Sequence, residues 1–249
     1  MLRFEDPISL SLLYHLNSEP WLNTEAYEAL PYEVQYKEMA GADRMIPLPP
    51  PTQSPLLRLL EARRSCRQYD PRPMPVDTLA AILAGAYGIL RTSMLADGIN
   101  AFFRGVPSAG GLFPFEIYVL ARSVAGVPDG LQHYNVRKHA LEPLADGPPL
   151  EEIHGALLTD PFAREANVII LLAAVFTRTQ RKYGPRGYRY ILLEAGHIAQ
   201  AICLLATERG LGSLCMGGFL DGRLNRSLGL DGVGEAVLYA VAVGHPGQV

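Results

Sequence analysis

At 249 residues, 49% hydrophobic and 19% charged, the chain has the composition of a folded globular protein, long enough for one large domain or two small ones. A net charge of −3 removes any global electrostatic case for nucleic acid or an anionic membrane, so a basic site must be local. No uninterrupted apolar run reaches the ~20 residues of a membrane span, and the opening MLRFEDPISLSLL carries Glu5 and Asp6 where a signal peptide would be basic, so the expected location is the cytoplasm.

Residues 1 to about 45 mix short apolar patches with Tyr, Glu and Pro and read as an arm rather than a domain. The run IPLPPP, Ile46 to Pro51, is an extended linker, which divides the chain into an arm and linker, 1–53, and one main domain, 54–249. Helical spacing follows over Pro55 to Arg64 through Leu56, Leu59 and Leu60. This helix runs into RRSCRQY, where Arg63, Arg64, Ser65 and Arg67 pack three guanidinium forks and a hydroxyl into five residues. That set suits a phosphate, although a charge run taken alone is more often a solvated face. Val76 to Tyr87 is a second helix, with Leu79, Ile82, Leu83 and Ala86 on one face. PSAGG, Pro107 to Gly111, is a glycine-serine turn leading into the apolar strand Glu116 to Ala121, and it offers exposed backbone to a flat ring. Together the two segments suggest a phosphorylated, planar cofactor.

Ile117 to Ala121, Leu131 to Tyr134 and Ala140 to Leu144 read as strands, the last two joined by the hairpin-length NVRKH. Leu150 to Leu158 reads as a short helix, and Val168 to Phe176 as a central strand buried on both faces. The longest helix is expected from Gly187 to Arg209, closed by Gly210. Its apolar stripe (Ile191, Leu192, Ala195, Ile198, Ala199, Ile202, Leu205, Ala206) and a second row (Leu193, His197, Gln200, Leu204) imply burial, at a subunit interface. Glu194 and His197, one turn apart, are expected to pair on the helix surface, with Gln200 bonding inside an interface. Ser213 to Met216 and Ala236 to Val243 complete the strands, and the segregated elements say α+β. Cys66, Cys203 and Cys215 lack metal-ligand spacing and the histidines form no HExxH pattern, so no metal site is expected. Cys203 and Cys215 read as small core residues, and Cys66, without a nearby histidine, as structural.

RRSCRQY, VPSAGGLFPFEIYV, LQHYNVRKHALEPL, KYGPRGYRYILLEAGHIAQ, GLGSLCMGGF and YAVAVGHP occur in this order over roughly residues 54 to 246. The series resembles the nitroreductase superfamily, and within it the SagB-type branch that contains the azoline dehydrogenases of thiazole and oxazole peptide biosynthesis. The resemblance implies an α+β nitroreductase-like fold, with a central, mainly antiparallel sheet flanked by helices, in an intertwined homodimer that binds FMN between its subunits. It implies that Arg63, Arg64, Ser65 and Arg67 hold the FMN phosphate and the pyrimidine side of the ring. Pro107, Ser108, Ala109 and Gly110 would lie along the isoalloxazine from the partner subunit. Gly217 and Gly218 match the place where a backbone N–H faces flavin N5.

Lys182 and Tyr183 match the branch's catalytic pair. Aromatising an azoline removes a hydride and a proton from adjacent ring carbons. A tyrosine is ordinarily protonated near neutrality, and a neighbouring ammonium favours its charged form, so Lys182 would make Tyr183 a general base. Adjacent residues of an extended segment point apart, so that contact requires a turn. The implied substrate is an azoline in a peptide or carrier-bound intermediate, with cyclodehydratase proteins as further partners. The alternatives are an NAD(P)H-dependent nitro or quinone reductase and a non-catalytic flavoprotein subunit of a biosynthetic complex. No arginine or lysine follows Arg226, which leaves the phosphate to Arg63, Arg64 and Arg67, with Arg186 and Arg189 either assisting, meeting substrate or merely solvated.

Overall fold

The computed structural model describes residues 9–19, 37, 39, 44–94, 98, 100–144 and 150–247. In chain order these form α1 (Leu10–Leu16), α2 (Pro55–Ala62), β1 (Tyr69–Asp70), β2 (Met74–Pro75), α3 (Val76–Tyr87), β3 (Ile89–Met94) and β4 (Asn100–Arg104). There follow β5 (Phe115–Ala121), β6 (Val124–Ala125), β7 (Gly130–Asn135), β8 (Ala140–Pro143), α4 (Leu150–His154), α5 (Asp160–Ala163) and β9 (Val168–Val175). The last elements are α6 (Phe176–Tyr183), α7 (Arg186–Glu208), β10 (Gly212–Met216), α8 (Asp221–Ser227) and β11 (Glu235–Pro246).

The apolar runs pair with one another. β9 lies between β5 and β11, antiparallel to both, and the main sheet runs β1-β11-β9-β5-β7-β8 with β10 also on β11. Val168, Ile170, Leu172 and Ala174 face one core with α3 and α7, while Ile169, Leu171 and Ala173 face a second core with α4 and α8. A strand covered on both faces must be apolar at every position, which is the run read in the sequence. The mainly antiparallel sheet between helices is therefore the expected α+β architecture.

α2 starts where Ser54 accepts from the Leu57 N–H at 3.1 Å and Pro55 takes the first turn. Of the arm, the described part includes α1, whose buried His15 lies 3.3 Å from the Tyr188 hydroxyl and 3.2 Å from the Gly232 carbonyl. The described linker residues are exposed and belong to no helix or strand, and the remainder of the expected arm lies outside the described residues. Among the described residues α7 alone is long and apolar enough to cross a membrane, and ten of its residues are buried, Glu194 among them.

Four elements differ from the sequence reading. FTRTQRKY, assigned to no helix or strand in the sequence, is helix α6: only Phe176 and Thr179 are buried, and packing against α7 holds it. β3 and β4 form a separate antiparallel pair whose exposed Leu90, Met94 and Phe102 hide any alternation. The helix expected over Leu150 to Leu158 stops at His154, where the N–H groups of Ala156 and Leu157 tighten onto the Ile153 and His154 carbonyls, both at 3.0 Å, before the chain bonds elsewhere. Leu158 N–H donates to the Gly218 carbonyl at 3.1 Å, and Leu220 N–H donates to the Ala156 carbonyl at 2.8 Å.

Candidate functional site

The arginine run leaves α2 and lies against β10. Ser65 bridges Ser213, and Cys66 N–H donates to the Ser213 carbonyl at 2.9 Å. A cavity of about 460 Å³ opens there, lined by Arg64, Ser65, Arg67, Thr207, Gly212 and Gly247 among others. Arg64 is turned back onto the Glu61 carbonyl at 2.7 Å. Among the described residues no carboxylate forms an ion pair with Arg63, Arg64 or Arg67. β10 then leads to Gly217 and Gly218. A side-chain carbon at either would meet nothing closer than 3.7 Å, so nothing within the chain demands glycine there.

PSAGG is a 3-10 turn over Ala109–Gly111, with Gly110 at φ 64° and Pro107 and Gly110 exposed. Tyr183 and Lys182 end α6 directly over it. A side-chain carbon at Gly110 would lie 2.8 Å from the Tyr183 hydroxyl and 3.0 Å from Lys182 Nζ and would displace those side-chain ends, and the positive φ favours glycine. The last turn of a helix, rather than an extended segment, carries the pair. Lys182 Nζ lies 5.3 Å from the Tyr183 ring centre, and Tyr190 packs edge-on to that ring at 5.1 Å.

Behind the turn stands Glu194, only 3% exposed. It does not pair with His197, which is exposed; instead it accepts from the Tyr87 hydroxyl at 3.0 Å and from the Ser108 hydroxyl. Ser108 Oγ in turn accepts from Phe113 N–H at 2.9 Å, and Tyr87 Oη from Phe115 N–H at 3.1 Å. Burial pushes the Glu194 carboxyl up, only partly opposed by those hydroxyls and the Arg104 charge. The carboxyl thus holds Ser108 of the PSAGG turn from inside the core and, through Ser108 and Tyr87, the backbone at Phe113 and Phe115.

Beside Gly110 a cavity of about 930 Å³ is lined by Phe102, Phe103, Arg104, Phe113, Arg137 and Arg178 among others. Arg104 stacks 3.8 Å from the Tyr87 ring centre and 4.5 Å from that of Phe113, and among the described residues its buried Nη1 has no partner. At the rim His133 bridges Glu142 at 2.9 Å and Glu116 at 3.0 Å, with Arg178 also on Glu116. Burial disfavours the charged imidazole, but the two carboxylates outweigh it and raise its pKa. The sequence reading missed this group because its members come from four separate strands and helices, with no shared spacing.

The arginine run and the PSAGG turn do not line one cavity in this chain. PSAGG meets α7 at Glu194, whereas Thr207, at the far end of α7, lines the arginine cavity. Thirteen residues of helix between them span roughly 20 Å. Arg186 and Arg189 are exposed at the start of α7, remote from the arginine run, and Gln200 is exposed on its outer face. Cys215, expected in the core, is exposed, while Cys203 is buried as expected.

The Nitroreductase family profile matches residues 60–245. A Methanocaldococcus jannaschii protein named provisionally as a nitroreductase, MJ1384, is 37% identical over 188 residues, 76% of this chain and 91% of that one. The Escherichia coli Microcin B17-processing protein McbC is 28% identical over 134 residues, which are 51% of this chain and only 49% of McbC. Among solved structures, the E. coli microcin synthetase McbBCD complex with truncated pro-MccB17 bound matches at a TM-score of 0.63 and 18% identity, covering 99% of this chain and 85% of that one. A provisionally assigned nitroreductase from Desulfovibrio desulfuricans, in complex with FMN, matches at 0.54 and 21% identity, covering 79% and 89%. At these identities the two structures speak for the fold alone. Matched along most of its length by the profile and by MJ1384, and carrying the same sheet and helices, the chain belongs to the Nitroreductase family, a family of flavin-binding oxidoreductase fold.

Proposed function

We propose that this chain is an FMN-dependent azoline dehydrogenase, oxidising thiazoline or oxazoline rings of a peptide or carrier-bound intermediate to thiazole or oxazole. The observation that carries the reading is the placement of Tyr183 Oη and Lys182 Nζ over the Gly110 backbone, which puts a proton acceptor and a cation on the proposed ring platform. The likeness to McbC, a Microcin B17-processing protein, supports this reading.

The residues present fit FMN. Three arginines and a serine without carboxylate partners among the described residues suit its phosphate, and Gly217 and Gly218 leave open the space that a side chain would fill. When bound, FMN supplies the two-electron acceptor. Arg63, Arg64, Ser65 and Arg67 hold the phosphate, and Pro107, Ser108, Ala109 and Gly110 form the platform along the ring. Tyr183, in its phenolate form, takes the proton released from the azoline carbon and becomes the neutral phenol, and the Lys182 ammonium balances the phenolate's charge before the transfer. The platform sits roughly 20 Å from the arginine run along α7. A homodimer, in which each platform completes the partner's arginine cradle, resolves that separation.

A second reading, reduction of nitro compounds or quinones by NAD(P)H, draws support from MJ1384. Anaerobic mixing of the flavin-loaded protein with a thiazoline peptide, and separately with NADPH, decides between them. Bleaching by the peptide with formation of thiazole is the expected result. Bleaching by NADPH alone supports the reductase, and bleaching by neither supports a non-catalytic flavoprotein subunit. Tyr183→Phe should retain FMN and lower azole formation by about 10²–10⁴-fold, the usual worth of a general base. Azole formation at the unmodified rate removes Tyr183 from that role.

A further inference from the structure

Cys203 and Cys215 take no part in the chemistry above, yet their sulfurs lie 3.5 Å apart. They come from different elements, the sheet-facing side of α7 and the strand β10, so packing rather than local spacing brings them together. Their surroundings differ. Cys215 is exposed and Cys203 buried behind it. The two thiols lie within hydrogen-bonding distance, and this contact, aided by the Tyr239 phenol and the Arg63 charge, outweighs burial and draws the Cys215 pKa down. The same contact, with burial, drives the Cys203 thiol up. One sulfur is therefore accessible and readily anionic, and the other is protonated and waits within reach. An attacking thiol backed by a resolving thiol has this arrangement. Cys66 lacks it, since its sulfur is directed to the Gln68 carbonyl at 3.0 Å.

We propose that Cys203 and Cys215 form a redox-active dithiol that peroxides convert to an intramolecular disulfide. The Cys215 thiolate attacks a peroxide oxygen, the O–O bond breaks, and Cys215 becomes a sulfenic acid as hydroxide leaves and is protonated to water. Cys203 then attacks the sulfenic sulfur, the S–O bond breaks, and a second water departs with the Cys203 proton. Two thiols lose two electrons, and hydrogen peroxide becomes two waters. The sulfurs must close from 3.5 Å to the ~2.05 Å of a disulfide, a side-chain adjustment. The bond ties α7 to β10 between the arginine run and Gly217. It rests on the sulfur geometry and on the exposure of Cys215.

The test is a peroxide titration of the reduced, full-length chain as isolated, followed by alkylation and peptide mapping by mass spectrometry. The expected product is a crosslinked pair of peptides carrying Cys203 and Cys215, reversed by dithiothreitol, at peroxide levels that leave Cys66 open to alkylation. In Cys203→Ala the same treatment should leave a dimedone-reactive sulfenic acid on Cys215 and no crosslink. If that variant does not fold, the map of the unmodified chain decides alone. Cys66 reacting first, or Cys203 and Cys215 both remaining open to alkylation, overturns the proposal.

Discussion

Glu194 shows how far one residue's neighbours depend on the fold. Its spacing from His197 suits a surface pair, and what turns it inward is the apolar side of α7 on which it lies, between Ile191 and Ile198. There its carboxyl meets Tyr87 and Ser108, neither of which is near it in sequence. Because burial raises its folded pKa above 4.5, the stability it contributes is fully present below the unfolded value and is lost as pH rises through the folded one. Glu194→Gln keeps an acceptor for both hydroxyls and removes the charge. Thermal melts should show the variant gaining on the unmodified protein as pH rises above 4.5, and not well below it, where the carboxyl is protonated in both states. A gain that does not vary with pH would assign the effect to packing instead.

At the scale of elements, β10 positions both the arginine run and the MGGF segment. Its first residue is Gly212, where a side-chain carbon would lie 2.5 Å from Cys66 Sγ and 2.6 Å from Cys66 Cβ. Gly212→Ala must push the arginine run off the strand. Overpacking of this kind costs about 1–3 kcal/mol, or about 2–4 °C in Tm per kcal/mol for a chain of this size. The same variant should bind FMN more weakly in a fluorescence titration. A variant that melts lower but binds FMN with unchanged affinity separates the strand contact from the cradle. The strands themselves were legible because β9, β5 and β11 are apolar runs with no competing period. α6 was not, since the buried positions of this short, polar segment are only Phe176 and Thr179, and its helix depends on α7.

At the scale of the molecule, α7 presents an outer face on which Leu192 and Leu193 are 40% and 57% exposed, beside His197 and Gln200. The opposite face fills the core, so the breadth of the apolar stripe exceeds what one chain can cover. A second copy on this face would explain the excess and join the two separated halves of the proposed flavin site. Sedimentation should find a dimer, and Leu193→Glu should weaken it and reduce FMN retention together. A monomer that retains FMN fully would disprove the shared site. The sequence alone determined the principal strands and helices, the arginine run, the PSAGG turn and the family they resemble, because periodicity and short motifs are local properties of the chain. The tertiary structure alone decided that Gly110 lies under Tyr183 and Lys182, that Glu194 holds Ser108, that Cys203 meets Cys215, and that the arginine run and the PSAGG turn lie far apart along α7. Those neighbours are far apart in sequence, and only the packing of helices on the sheet sets the distances between them.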